Sequence, residues 1–362
     1  MIKSLFLYYY GTAKYASIIL AEAGSSCRVT AGLTVFDDGT IIVAMIEQTL
    51  WFETRDAVKL FLRRWESDSG APPRGAVQIV HGMGEHGLRY AETAAYLCDR
   101  GYSVWAADMR GHGRTADLSV NPADRGGLLG HCADTNAFAK ILLDVEKINA
   151  GIQKTYPGIP LFLLGHSWGS FIAQGYIETF NKRPLSGCAL SGTKGPGSAA
   201  VALGAPFMAV FAALRGVRCR SRFSRGLADG AYNKAFQPNR TMYDWLSRDK
   251  KEVDLFVADA LCGQLGSVGF YRDLAFALKR IHRKRAMDRV NRDLPVYLFS
   301  GSADPVGGMG AGPTELVDSY RRIGIKDIEF VLYPEARHET LHETNREEVM
   351  RNLCNWLDRH IK

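Results

Sequence analysis

Gly165-His166-Ser167-Trp168-Gly169 sets a serine at the centre of a Gly-x-Ser-x-Gly pattern, and the chemistry this spacing supports is nucleophilic attack. A serine hydroxyl is a weak nucleophile at neutral pH. It needs a strained turn that lifts Oγ clear of the backbone and an imidazole that takes its proton as the new bond forms. Glycines on either side of the turn let a strand and a helix approach closely. Where such an elbow follows a parallel strand, the acid and then the histidine come later in the chain, which leaves His282, His338, His342 and His360. His360 falls in a terminal helix and His282 in a basic stretch. His338 lies shortly after the apolar run Val331-Leu332-Tyr333, on a loop at the edge where Ser167 emerges, and is the expected general base; His342 is the runner-up. The loop Gly301-Ser302-Ala303-Asp304-Pro305 supplies Asp304 as the acid that fixes the imidazole tautomer, although taken alone an aspartate before proline is an ordinary surface turn.

A tetrahedral intermediate needs donors for its oxyanion, and the expected ones are the amides of Trp168, directly after the serine, and of Met83 in His81-Gly82-Met83-Gly84. That glycine-rich loop lacks the Gly-Lys-Ser/Thr ending of a phosphate-binding loop, so nucleotide binding is not expected. Asp108-Met109-Arg110-Gly111-His112-Gly113-Arg114 is a second glycine-punctuated turn, read as a structural brace for the active edge. No cofactor or metal is called for. The seven cysteines, Cys27, Cys98, Cys132, Cys188, Cys219, Cys262 and Cys354, show neither a C-x-x-C pair nor ligand-like spacing. A reducing, cytoplasmic setting follows as a mild inference.

The elements that must position these residues are legible from about residue 75. Gly75 to Val80, Tyr102 to Ala107, Pro160 to Gly165, Pro184 to Ser191, Leu294 to Ser300 and Asp327 to Tyr333 read as strands. Tyr90 to Arg100, Asp134 to Ala150 with Asp134 as N-cap, Trp168 to Phe180, Pro313 to Ile323 and Asn345 to His360 read as helices between and after them. Upstream, Met45 to Glu53 and Ala57 to Trp65 alternate in polarity as an antiparallel hairpin at a sheet edge. The fold class is therefore α/β, with a mostly parallel central sheet, helices on both faces and a helical cap insertion; together with the serine elbow it resembles an α/β-hydrolase fold. Residues 46–193 and 293–362 form the two parts of the core, and 194–292 form the cap, with helix-like segments at Arg240 to Lys251 and Tyr271 to Met287.

Residues 1–45 are an extension whose structure the sequence leaves uncertain. Lys3, Leu5 to Tyr10 and Ile18 to Ala21 faintly resemble the charged and apolar regions of a secretory signal, but Lys14 interrupts them. A membrane-spanning helix needs roughly twenty continuous apolar residues, so an irregular, poorly packed extension is expected. Charge is uneven: the chain is +7 overall, yet Lys194 to Arg292 alone holds 19 Lys or Arg against 8 Asp or Glu, which leaves the rest net acidic. A solvated helix face explains this blandly; attraction to an anionic membrane, making the protein peripherally membrane-associated, explains it more sharply. No nucleic-acid module accompanies the charge, so nucleic acid is not an expected partner. The sequence sets no oligomeric state.

Taken in order, His81-Gly82-Met83-Gly84-Glu85-His86 with Arg89-Tyr90, Asp108-x-Arg110-Gly111-His112-Gly113, Gly165 to Gly169, Gly301 to Asp304 and Ala336-Arg337-His338-Glu339 resemble the monoacylglycerol lipase and lysophospholipase branch of the α/β-hydrolases, bacterial members included. The resemblance runs from about Glu47 to the C-terminus. It implies hydrolysis of lipid-like carboxylic esters, monoacylglycerol or lysophospholipid, through an acyl-enzyme. It also implies a lid built from the insertion over an apolar acyl channel, with Ala199 to Leu214 at the channel mouth and at the membrane. Glu85 and Arg89 would then lie near the polar end of the site, an ion pair buttressing the oxyanion loop being an equal reading. The chain departs from the family at Trp168, where Met is frequent and where the indole is expected to narrow the acyl pocket, and at Ser170, where many relatives carry Gly.

Other readings remain beside this one. A short-chain carboxylesterase needs the same machinery, and a proline-releasing aminopeptidase would need an acidic site for a substrate amine, against which the basic cap argues. An epoxide hydrolase or dehalogenase would carry Asp at position 167. A catalytically silent module that binds a hydrophobic ligand is the remote alternative from outside enzymes.

Overall fold

The computed structural model describes residues 5–10, 13–20, 28–35, 41–196, 199–228 and 230–361, with side chains from Met45 onward apart from 199–203, 224, 227 and 228. Strands β1 (Leu5–Tyr10), β2 (Ala13–Leu20), β3 (Arg28–Val35) and β4 (Ile41–Glu53) pair antiparallel in succession. Where the sequence led to an irregular extension, its described residues are thus strands, as their aromatic and β-branched content favours. Lys3 and Ala21 of the signal-like stretch, and Cys27, lie outside the described residues. Next, β5 (Lys59–Glu66) closes a hairpin with β4 and pairs antiparallel with β7. With β3 on the outer side of β4, this hairpin is internal to the sheet rather than at its edge.

The parallel core follows: β6 (Gly75–Val80), α1 (Ala91–Cys98), β7 (Tyr102–Asp108), α2 (Ala137–Thr155), β8 (Leu161–His166), α3 (Trp168–Thr179) and β9 (Gly187–Ser191). The cap inserts here as α4 (Ala199–Arg215), α5 (Arg222–Ala228), α6 (Lys250–Ala258), α7 (Val268–Ile281) and α8 (Lys284–Met287). The core resumes with β10 (Val296–Gly301), α9 (Ala311–Arg322), β11 (Ile328–Tyr333) and α10 (Arg346–Arg359). The sheet runs β1-β2-β3-β4-β5-β7-β6-β8-β9-β10-β11 and is parallel from β7 onward.

Core strands are apolar throughout because helices cover both faces. In β8, Leu161 and Leu163 pack with Ile141 and Val145 of α2 and Ile172 of α3, while Phe162 and Leu164 pack with Leu97 of α1 and Trp356 of α10. The chain steps from β6 to one side, making β7, and then crosses back to make β8 on the other. The carboxyl ends of β6 and β8 therefore flank a switch point, where open α/β sheets leave a crevice.

Two local expectations fail for identifiable reasons. Asp134 does not cap α2, because its carboxylate accepts from Arg218 Nε and Nη2 at 2.8 and 2.6 Å and meets His131 Nε2 at 2.9 Å. Asn136 occupies the cap position, and the first helical amide, Ala137, donates instead to Asp273 Oδ2 of α7 at 3.2 Å. Arg240 to Lys251 is mostly turn, not helix: the Asp244 carboxylate accepts from the amides of Arg240 and Thr241 and from Thr241 Oγ1, offering the backbone an alternative to helical bonds.

Candidate active site

Ser167 sits between β8 and α3 with φ 52° and ψ −120°, a conformation an L-residue holds only when its surroundings impose it. The surroundings are backbone. A Cβ on Gly169 would lie 2.0 Å from Val80 O, and one on Gly165 would lie 2.4 Å from Gly169 O. The two glycines are therefore required by close approach of α3 to the ends of β6 and β8. The Ser167 amide donates to Ser191 O of β9 at 2.9 Å, which fixes the turn to the neighbouring strand.

His338 reaches Ser167 from the loop after β11: its Nε2 is 2.7 Å from Ser167 Oγ, and its Nδ1 is 3.0 Å from Asp304 Oδ1. Asp304, wholly buried after β10, also accepts from the Val306 amide at 2.9 Å and from Ser300 Oγ at 3.3 Å. These two loops must nearly touch for this, and a Cβ on Gly301 would lie 1.9 Å from Ala336 O. Burial by itself would depress the His338 pKa, but the Asp304 carboxylate outweighs it and holds the value above the ordinary 6.5. Burial likewise opposes ionisation of Asp304, yet His338 and the hydrogen bonds keep its pKa below 3.8. A neutral imidazole with Nδ1–H on Asp304 leaves Nε2 free to accept the Ser167 proton.

The amides of Met83 and Trp168 have no acceptor among the described residues, and Trp168 opens α3, where the first amides lack helical partners. Beneath the Met83 loop lies a buried charge cluster. Glu85 accepts from the Gly82 amide and from Tyr90 Oη at 2.8 Å; Arg89 Nη1 bridges Glu85 Oε2 and Glu339 Oε1, both at 2.6 Å; and Arg89 Nη2 donates to Glu339 Oε2 at 2.7 Å. Burial disfavours the Glu85 carboxylate, but Arg89 overrides it and pulls the pKa down to about 2. Glu85 lines the cavity above Ser167; Arg89 does not, because its guanidinium is committed to the two carboxylates. These bonds fit a buttress for the oxyanion loop, while Glu85 also reaches the cavity.

His342 is not a partner of Ser167. Its Nε2 is 2.9 Å from Arg89 O and its Nδ1 3.3 Å from Glu339, so it braces the cluster. Sequence reading missed Glu339 in this role, although it adjoins His338, because its partner Arg89 is 250 residues away. It also missed the cap strand of contacts at Trp245 and Leu246, whose carbonyls accept from the His338 and Glu339 amides at 3.4 and 2.8 Å, with the Trp245 ring 5.1 Å from the His338 ring.

The Asp108 to Arg114 turn braces the same edge. Asp108 accepts from Arg63 Nη1 at 2.6 Å and from the Gly87 and Arg114 amides, and Arg110 Nε and Nη1 meet Asp144 of α2 and Asp56 at 2.5 and 2.9 Å. The indole of Trp168 stacks on His112 at 4.9 Å and lies 5.4 Å from Phe270. It does not line the cavity above Ser167.

That cavity measures about 40 Å³ and is roofed by the cap residues Trp245, Leu246, Phe256, Gln264 and Tyr271; no residue of α4 lines it among the described residues. A lipid-sized ligand needs roughly 300 Å³ or more, so the cap is closed over Ser167 in this structure. A larger cavity of about 750 Å³, bordered by Trp51, Phe61, Arg114, Leu118 and Arg220, contains none of Ser167, His338 or Asp304. No helix of the described residues is long and apolar enough to cross a membrane.

A family model described as "Serine aminopeptidase, S33" matches residues 71–345. The monoglyceride lipase of Mus musculus is 31% identical over 304 residues, covering 80% of this chain and 86% of its own. The monoacylglycerol lipase of Mycolicibacterium smegmatis is 26% identical over 84% of this chain and 94% of its own. Among solved structures, a thermostable carboxyl esterase from Bacillus coagulans in complex with glycerol superposes with a TM-score of 0.78 at 26% identity, covering 87% of this chain and 99% of that one.

Proposed function

Since this chain belongs to the serine aminopeptidase S33 family of α/β-hydrolases, within which it is similar to monoglyceride lipases, we propose that it cleaves carboxylic esters of single-chain lipids, monoacylglycerols first among them, with Ser167, His338 and Asp304 as its catalytic residues. The observation that carries this reading is the unbroken line from Asp304 Oδ1 through His338 to Ser167 Oγ. Oγ attacks the ester carbonyl as Nε2 takes its proton, and the Met83 and Trp168 amides receive the oxyanion. The imidazolium then protonates the departing glycerol oxygen, leaving an acyl-enzyme that water cleaves by the same route in reverse. No step calls for a metal or cofactor.

An aminopeptidase reading is not favoured. Its substrate ammonium would need an uncommitted carboxylate, whereas Glu85 and Glu339, the acids lining the cavity, are both engaged by Arg89. Contact with an anionic membrane extends the proposal: α4 exposes Phe207, Val210 and Leu214 along one side, with Phe223 of α5 and the exposed Arg215 and Arg222 nearby. This apolar stripe with cationic flanks suits docking at a lipid surface while the cap lifts.

Turnover of 1-oleoylglycerol, oleoyl-lysophosphatidylcholine, p-nitrophenyl butyrate and prolyl-naphthylamide by the purified chain tests the substrate class. The proposal expects the highest kcat/KM on the oleoylglycerol and none on the amide. Preference for the amide, or turnover of butyrate alone, would overturn it.

A further inference from the structure

The end of the oxyanion loop and the loop after α6 meet across the cap interface, where the Gly263 amide donates to Gly84 O at 2.8 Å. Beside this bond three side chains of metal-binding type converge. His86 is only 2% exposed; its Nε2 lies 2.8 Å from Asp259 Oδ2, while its Nδ1 is buried with no hydrogen-bond partner among the described residues. Cys262 is a buried free thiol. One ligand atom from each of His86, Asp259 and Cys262 lies within 4.8 Å of the others, the sole such trio among the described residues.

A neutral imidazole nitrogen is a metal ligand, and the His86 ring already turns one of its nitrogens to the Asp259 carboxylate. We propose that His86, Asp259 and Cys262 form a site for a thiophilic divalent cation, Zn²⁺ the best match, which fastens the cap to the oxyanion loop. Nitrogen, carboxylate oxygen and sulfur are the zinc donor set, and the sulfur disfavours Mg²⁺ and Ca²⁺. Bonds of about 2.0–2.3 Å put tetrahedral ligands roughly 3.5 Å apart, so His86 Nε2 and Asp259 Oδ2, now 2.8 Å apart, part slightly while Cys262, within 4.8 Å of both residues' ligand atoms, draws in, all within side-chain adjustment. Arg89 is the nearby cation, but it is paired with both Glu85 and Glu339, so that cluster is net negative and does not repel the ion. Binding displaces the Cys262 proton to solvent and leaves a thiolate–metal bond, with water in the fourth position. Because Met83 and Gly84 belong to the same loop, a cation here holds the cap down over Ser167. The sequence hides this site, since His86 stands 173 residues before Asp259.

The binding claim stands apart from hydrolysis; the inhibitory consequence rests on the function proposed above. Chelator-treated full chain titrated with Zn²⁺ in a calorimeter is expected to take up one equivalent, weakened by roughly tenfold or more in Cys262→Ser and in Asp259→Asn. Co²⁺ in place of zinc is expected to give a sulfur-to-cobalt charge-transfer band that Cys262→Ser lacks. Zn²⁺ is expected to slow 1-oleoylglycerol hydrolysis reversibly in the parent and not in Cys262→Ser. Absence of saturable binding below millimolar zinc, or equal affinity in Cys262→Ser, would overturn the site; binding without inhibition would overturn the tether. If the chain proves inactive, the calorimetry and the cobalt spectrum still decide.

Discussion

Replacing Arg89 by methionine tests how the oxyanion loop is held. The guanidinium makes three hydrogen bonds to two buried carboxylates, Glu85 and Glu339. Met fills much of its volume but leaves two like charges facing each other in a buried site. Removing one partner of a buried pair costs about 3–5 kcal/mol, or roughly 6–10 °C in melting temperature at about 2 °C per kcal/mol for a chain this size. The sign with pH follows from the carboxylates. In the parent their folded pKa values lie below 4.5, so they add stability above that pH and lose it as pH falls. In Arg89→Met burial and the mutual repulsion of the two carboxylates outweigh the hydrogen bonds that remain and raise them, so the variant is hurt more at pH 8 than at pH 5, where one carboxyl can stay protonated. Gly82 hangs on Glu85, so the Met83 amide shifts as well, and kcat on p-nitrophenyl butyrate should fall about a hundredfold. Thermal melts from pH 5 to 8 and steady-state rates read both effects. Adding Glu339→Gln should recover part of the stability, because it removes the unpaired charge. A melting point within 1 °C of the parent, a loss that does not grow with pH, or a double variant that is simply worse would refute this reasoning.

Asp304→Asn should lower kcat on the order of 10⁴-fold by favouring the wrong imidazole tautomer. Its acid limb in kcat/KM should also move below the ordinary histidine value, whereas the parent's lies above 6.5, because burial then acts without the carboxylate that outweighs it. Gly169→Ala would drive a methyl to 2.0 Å from Val80 O, so we expect about a hundredfold loss of kcat with a destabilised fold, read by rates and thermal melts. Gly204→Ala, in a helix with open space around it, serves as the contrast and should stabilise by about 0.5–1 kcal/mol. Phe207→Ser combined with Leu214→Ser should reduce sedimentation with phosphatidylglycerol vesicles at least tenfold while sparing turnover of soluble butyrate.

What the sequence made legible is what is local. The wholly apolar run at 161–166 followed by a glycine-flanked serine needs no distant information, and neither does the histidine loop after an apolar strand. The distance between His338 and Ser167 is a property of the sheet order, which the strand and helix alternation implies. Partnerships across the chain were not readable. Asp134 is a good cap residue by type, but Arg218 and His131 claim its carboxylate. Trp168 adjoins the nucleophile in sequence, yet its ring turns to His112 and Phe270, away from the cavity. The role of Glu339 depends on Arg89, and the roof over Ser167 comes from Trp245 and Tyr271 in turns and helices whose packing the basic composition of the cap does not encode.

The claim on which the account turns is that Ser167 becomes a nucleophile because His338 takes its proton. Peptide mass spectrometry after treatment with a fluorophosphonate reads this directly. One adduct is expected, on Ser167, formed far more slowly in His338→Gln and absent in Ser167→Ala. An adduct elsewhere, or labelling at Ser167 that is as fast without the imidazole as with it, would contradict the account.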